Sequence, residues 1–199
     1  MGKEKFINDL FFMNNNWKRW ELLAVLLDFV LSFTEGDMVE IGVGETSAIF
    51  TALSKKYRRK VYHCDLNRNR VKEHLKHKRY FGDMKNLIFV GYSDDFFKRI
   101  NLPPIAVGFI DGGHMHDQAK RDFDNLFSLV VEDGYIFLHD TYPSKELHVE
   151  ERFCGTSYLL RQELENNPMV DCFTFTNSSN NHGLTMVRKK PKDRPYYQE

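Results

Sequence analysis

The feature that most narrows the folds open to this chain is a regular exchange of short apolar runs and longer stretches with helical spacing. The apolar runs are Met38 to Ile41, Lys60 to Cys64, Leu87 to Val90, Ile105 to Ile110 and Gly134 to Leu138. Between them lie Thr46 to Tyr57, Arg68 to about Arg79, Asp94 to Ile100 and His116 to about Val131, the last with its stripe on Ala119, Phe123, Leu126, Phe127 and Val130. A strand apolar at successive positions is covered on both faces, and one reached through a helix runs parallel to its predecessor. The end of the chain breaks this rhythm. A helix from Thr156 to Asn166 leads to a strand Met169 to Thr176, a polar turn Asn177 to Asn181 and a strand Gly183 to Arg188. A turn so short joins only antiparallel strands. The predicted class is therefore α/β, a seven-stranded, mostly parallel sheet with a C-terminal antiparallel hairpin and helices on both faces.

From Asn16 to Phe33 the apolar residues Trp17, Trp20, Ala24, Leu27 and Leu31 recur at helical steps, which adds an N-terminal helix to this Rossmann-like arrangement. With 199 residues the chain supplies one well-buried core. Its expected parts are a helical cover 1–35, a cofactor-binding core 36–141, a segment 142–190 with a lid, the last helix and the closing hairpin, and a frayed tail 191–199. Twenty-eight basic and 28 acidic residues give a formal net charge of zero, so neither nucleic acid nor an anionic membrane is an expected partner. Leu22 to Phe33, the most apolar run, is shorter than a bilayer span and contains Asp28, so it belongs in a core. Cys64, Cys154 and Cys172 are odd in number and widely spaced, which fits neither a disulfide framework nor a thiolate zinc site and points to a reducing, cytoplasmic setting.

Two of the apolar runs end in turns that carry both glycine and charge, Val39-Glu40-Ile41-Gly42-Val43-Gly44-Glu45-Thr46 and Phe109-Ile110-Asp111-Gly112-Gly113-His114. In a parallel sheet both emerge at the carboxyl edge, so a ligand loop and a candidate reaction centre share one side of the molecule. Glycine lets the backbone come close to a ligand because it has no Cβ. Charge then discriminates between cofactors. A dinucleotide presents a pyrophosphate, which favours backbone N–H groups and a helix N-terminus and is repelled by carboxylates such as Glu40 and Glu45. S-adenosylmethionine presents an ammonium and a sulfonium, which carboxylates attract. Asp65 ends the next strand about twenty residues on, the spacing at which a carboxylate reaches the ribose hydroxyls of either cofactor. A lone pair of glycines is also an ordinary tight turn; together with Glu40 and Asp65 it predicts an adenosine site.

Val39 to Gly44, Asp65, Phe109 to His114 and Gly134-Tyr135-Ile136-Phe137-Leu138-His139-Asp140-Thr141 together resemble a class I S-adenosylmethionine-dependent methyltransferase. More narrowly, they resemble the branch of macrolide-sugar O-methyltransferases and cephalosporin hydroxylase-like proteins. The resemblance implies that Glu40, Gly42 and Gly44 receive the methionine part of the donor, that Asp65 grips its ribose and that Ser93 lies beside its adenine. It also implies that Asp111 and Asp140, with His139, hold magnesium or another divalent metal in metal-dependent members, and that His114 is the general base. Asp111 thus belongs to the catalytic, cofactor-binding and metal sets alike. Three departures accompany the likeness. Glu45 and Thr46 stand where a further glycine is common, Gly113 replaces an acidic residue, and His139 is a softer ligand than the usual carboxylate.

Methyl transfer to oxygen needs a hydroxyl in line with the sulfonium methyl and a group that takes its proton, work suited to histidine or to a metal that lowers the hydroxyl pKa. Asp111, His114, His139 and Asp140 are of the right types. Plainer readings stand beside this one. Asp111 is placed to cap the next helix, His114 and His116 to sit on its exposed first turn, and Asp140-Thr141 to make a turn before Tyr142-Pro143. His63 and Cys64 read as strand packing, and Asp94 and Asp95 as charges at a helix start. Tyr142 to Gly155, with His148, Glu150, Glu151 and Arg152, is long enough to be a lid. The expected activity is methyl transfer to a hydroxyl of a small molecule such as a sugar or polyol. A nucleoside-binding or assembly protein without turnover and a nicotinamide oxidoreductase are the alternatives.

Overall fold

A computed structural model of the chain describes residues 20–76, 87–176 and 182–191. Its elements are α1 (Glu21–Leu31), β1 (Asp37–Ile41), α2 (Thr46–Tyr57), β2 (Val61–Asp65), α3 (Arg68–Lys76), β3 (Leu87–Val90) and α4 (Ser93–Arg99). There follow β4 (Ile105–Ile110), α5 (His116–Leu129), β5 (Val130–His139), a short 3-10 turn at Glu146–Val149, α6 (Ser157–Glu165), β6 (Val170–Phe175) and β7 (Leu184–Lys189). The strands form one sheet in the order β3-β2-β1-β4-β5-β7-β6. β7 is antiparallel to both of its neighbours, and the remaining pairs are parallel. The predicted parallel body and closing hairpin are both present. Trp17, Arg79 and the turn Asn177 to Asn181 lie outside the described residues.

Side-chain alternation along the strands builds two cores. On one face Met38, Val61, Val107, Phe109 and Phe137 pack against Leu23, Leu27, Val30 and Leu31 of α1 and Ile49, Phe50 and Leu53 of α2. On the other, Val39, Ile41, Ile110, Ile136 and Leu138 meet Phe96 of α4, Ala119, Phe123 and Leu126 of α5, and Leu160 and Leu164 of α6. α1 therefore covers the sheet as its periodicity predicts, burying Leu23, Leu27, Val30 and Leu31 of the apolar run while Val25, Phe29 and Phe33 stay exposed. No helix among the described residues is long and apolar enough to cross a membrane. Most described boundaries fall within a residue or so of the sequence reading, but the junction of α5 and β5 differs by more. β5 begins at Val130 and not at Gly134, because Val130 pairs with Ile105 before the register shifts, and α5 accordingly stops at Leu129.

Candidate active site

β1 and β4 are neighbours, yet the chain leaves β1 toward β2 and leaves β4 toward β5, so a crevice opens beyond their carboxyl ends. Backbone bonds knit its floor: the Gly42 N–H donates to the Cys64 carbonyl and the Asp111 N–H to the Ile41 carbonyl, each at 2.8 Å. Gly42 has φ +97°, and a Cβ there would fall 2.1 Å from the Asp111 carbonyl oxygen. Only glycine allows the two turns to meet. At Gly44, by contrast, nothing lies within 4 Å of where a Cβ would stand, leaving room over the loop.

The carboxylate of Glu40 lies beneath this loop and not on its rim. It is fully buried. The parallel register sets Glu40 opposite His63, and His63 Nδ1 is 2.6 Å from Glu40 Oε2. Thr46 and Ser47, in the first turn of α2, donate their hydroxyls to Oε1 at 2.6 Å and Oε2 at 2.7 Å. Glu40 therefore anchors the N-terminus of α2 to the end of β1, with His63 as a buried polar partner and not as mere packing. Glu45 accepts a hydrogen bond from Trp20 Nε1 at 3.0 Å, which ties the start of α1 to the same loop.

Asp65, at the end of β2, shapes the loop from the side. Its Oδ2 accepts the Val43 N–H at 2.8 Å and its Oδ1 the Asn67 N–H at 2.5 Å. A carboxylate offers about four lone pairs, so two remain, with the Arg70 guanidinium 3.6 Å from Oδ2 beside them. The carboxylate borders an open cleft of about 350 Å³, lined further by Gly42, Ser93, Gly112, Gly113, Gln118 and Asp122. Gln118 Nε2 donates to Ser93 Oγ and to Asp122 Oδ1, each at 3.0 Å. Burial pushes the Asp122 carboxyl up to about 6, against hydrogen bonds from Ser93 and Gln118 that pull it down.

A second polar cluster lies where β4 and β5 end. His139 Nδ1 is shared between two carboxylates, 3.1 Å from Asp111 Oδ1 and 3.2 Å from Asp140 Oδ1. Burial opposes charge on this imidazole, but Asp111 and Asp140 outweigh it and lift His139 to about 10. Burial likewise opposes the Asp140 anion, and His139, His114 and His182 overcome that and hold its carboxyl below the ordinary range. His114 Nε2 is 3.1 Å from Asp140 Oδ2, and its Nδ1 is 3.0 Å from the Glu151 carbonyl. Trp20 packs against the His139 ring at 4.8 Å. Asp140 sits at φ +59°, a left-handed conformation that carries strain in a non-glycine residue and recurs at functional sites. Asp111 does not cap α5: Met115 holds that position, and Thr156 Oγ1 accepts the His116 N–H at 2.8 Å. Asp111, His139 and Asp140 place one ligand atom each within 4.8 Å of the others, a set that could hold a divalent ion.

The cleft and this cluster adjoin at Asp111, Gly112 and Gly113, and that stretch of chain falls inside a wider match. A family profile described as a methyltransferase domain matches residues 39–141, just over half of the chain. The chain belongs to this methyltransferase family. Its fold is that of class I S-adenosylmethionine-dependent methyltransferases, as solved structures of low identity bear out. Cofactor-bound Rv0187 from MTB is 12% identical over 90% of this chain and 83% of that one, with a TM-score of 0.75. An O-methyltransferase from Bacillus cereus in complex with SAH is 13% identical, over 94% and 90%, with a TM-score of 0.69. An rRNA methylase from Streptococcus thermophilus is 14% identical, over 84% and 95%, with a TM-score of 0.60. The methyltransferase fold is thus shared across different acceptors.

Of the residues singled out in the sequence, Gly42, Asp65 and Ser93 border the cleft, Gly44 crowns the loop, and Asp111, His114, His139 and Asp140 meet in the cluster. Glu40 joins neither directly. Sequence reasoning missed Gln118 and Asp122 in the cleft, and Cys154 and His182 beside Asp140. A signal for His182 existed. Pairing the closing strand with β5 sets Leu184 opposite His139, and two residues earlier the His182 carbonyl accepts the Tyr142 N–H at 2.8 Å, which brings His182 beside Asp140.

Proposed function

We propose that this methyltransferase-family protein moves the methyl group of S-adenosylmethionine to a hydroxyl oxygen of a small molecule. The observation that carries the reading is the junction of the Asp65 cleft with the Asp111, His114, His139 and Asp140 cluster at one sheet edge. In this reading the remaining lone pairs of Asp65 take the ribose hydroxyls, Ser93 lies beside the adenine, and the methionine part passes over Gly42 and Gly44. Glu40 acts from below by fixing the loop and α2. A complex of the Bacillus cereus relative with SAH supports a donor of this class. The narrower likeness to sugar O-methyltransferases motivates a sugar or polyol acceptor, with residues 142–155 as its proposed lid.

His114 is the proposed base. As the acceptor oxygen bonds to the methyl carbon and the carbon–sulfur bond breaks, the hydroxyl proton passes to the His114–Asp140 pair, leaving S-adenosylhomocysteine and a methyl ether. Asp140 Oδ2, 3.1 Å from Nε2, stabilises the imidazolium that results, and the Glu151 carbonyl orients the ring through Nδ1. Asp111, His139 and Asp140 are the residues that would hold a divalent ion, whose chemistry there is to lower the hydroxyl pKa. Calorimetry with S-adenosylhomocysteine and NADH, followed by turnover on a panel of hydroxyl acceptors that includes an RNA, tests the reading. Heat for NADH and none for the nucleoside would sink the donor assignment. Donor binding with no acceptor ever methylated would favour a binding or assembly role.

A further inference from the structure

Asp140 also faces a group of side chains that the methyl-transfer reading does not use. Cys154 is fully buried and brings its Sγ to 4.0 Å from Asp140 Oδ1, while His182 Nδ1 lies 3.1 Å from the same oxygen. The three ligand atoms all fall within 4.8 Å of one another. Buried free cysteine ordinarily behaves as a small apolar residue, but this thiol points at a carboxylate and an imidazole. Its position is fixed by the backbone. The Cys154 N–H donates to the His148 carbonyl at 2.9 Å, and the next residue, Gly155, adopts φ +53° where a Cβ would fall 2.3 Å from the His114 carbonyl oxygen. In a tetrahedral zinc site with bonds of about 2.0–2.3 Å, neighbouring ligand atoms stand about 3.3–3.6 Å apart. Small side-chain rotations separate the observed spacing from that geometry.

We propose that Asp140, Cys154 and His182 form a binding site for a borderline-soft divalent cation of the zinc class. One carboxylate, one thiolate and one imidazole suit such an ion and leave a fourth position open, whereas magnesium and calcium take oxygen ligands. Binding releases the thiol proton to solvent. The ligands come from the end of β5, the segment before α6 and the residues before β7, so the ion pins the proposed lid to the hairpin edge of the sheet. The site stands whether or not methyl transfer is the activity.

Cobalt(II) reports the thiolate directly. Full-length protein titrated with Co2+ is expected to develop a thiolate-to-cobalt charge-transfer band at one equivalent, which Zn2+ bleaches and excess Mg2+ does not. Cys154→Ser should abolish the band; Cys64→Ser and Cys172→Ser, at the only other cysteines, should keep it. His182→Ala should weaken Co2+ binding at least roughly tenfold. A wild-type spectrum without the band, a band that survives Cys154→Ser, or unchanged affinity in His182→Ala would overturn the assignment. If Cys154→Ser does not fold, the His182 variant decides alone.

Discussion

Glu40→Ala removes the acceptor of three buried donors at once: the hydroxyls of Thr46 and Ser47 at 2.6 and 2.7 Å and the His63 ring at 2.6 Å. Hydrogen bonds to a charged group each contribute about 1.5–3 kcal/mol, but the three share one carboxylate and do not add. Breaking a buried pair by deleting one partner costs about 3–5 kcal/mol, and a loss of about 4 kcal/mol is expected here. With a urea slope of about 2 kcal/mol/M the unfolding midpoint then drops by about 2 M. Glu40→Gln keeps the volume and one carbonyl acceptor, so its loss is smaller, about 1–3 kcal/mol. The informative comparison is with donor affinity. Because Glu40 is 0% exposed, Glu40→Gln should hold the S-adenosylhomocysteine affinity within about threefold while stability falls. The reasoning is refuted if stability changes by less than about 1 kcal/mol while affinity falls more than about tenfold, since that pattern belongs to direct contact with the methionine ammonium.

Asp122→Asn tests the buried acid in the cleft. Its carboxyl is raised to about 6, above its unfolded value, so the folded state binds more protons between about pH 4 and 6 and stability falls as pH rises through that window. The Asn variant should lose this slope and gain up to about 2–3 kcal/mol near pH 7; parallel urea curves at several pH values would argue against it. Gly42→Ala should cost at least about 1–3 kcal/mol in thermal unfolding, because the left-handed backbone and the Asp111 carbonyl leave no place for a methyl; a melting temperature equal to that of the parent contradicts this. Asp65→Asn should weaken S-adenosylhomocysteine binding by about 1–3 kcal/mol in calorimetry, and unchanged affinity removes the ribose assignment. His114→Ala should spare that binding and lower the turnover rate at least about 100-fold; an undiminished rate excludes His114 as the base.

Much of this molecule is legible locally. Apolar runs at strand length, helical stripes such as Ala119, Phe123 and Leu126, and the short turn before the last strand depend on residues near one another in the chain. They determine the seven strands and their directions, and with them the carboxyl edge where Gly42, Asp65, Asp111 and Asp140 gather. The start of β5 at Val130 was not legible, because Val130 continues the helical stripe and becomes a strand residue only by pairing with Ile105. Nor was the place of Glu40, whose charge alone gives no sign that His63, Thr46 and Ser47 enclose it.

By itself the sequence determined which residue types stand at the ends of which strands, since period and turn chemistry are short-range properties of the chain. Only the tertiary structure decided that Glu40 is a buried anchor, that Asp122 is desolvated enough to be raised to about 6, and that Cys154 and His182, 14 and 42 positions from Asp140, converge on its carboxylate. Burial, charge and coordination depend on what strand register brings together across the sheet, and that partner is rarely a neighbour in sequence.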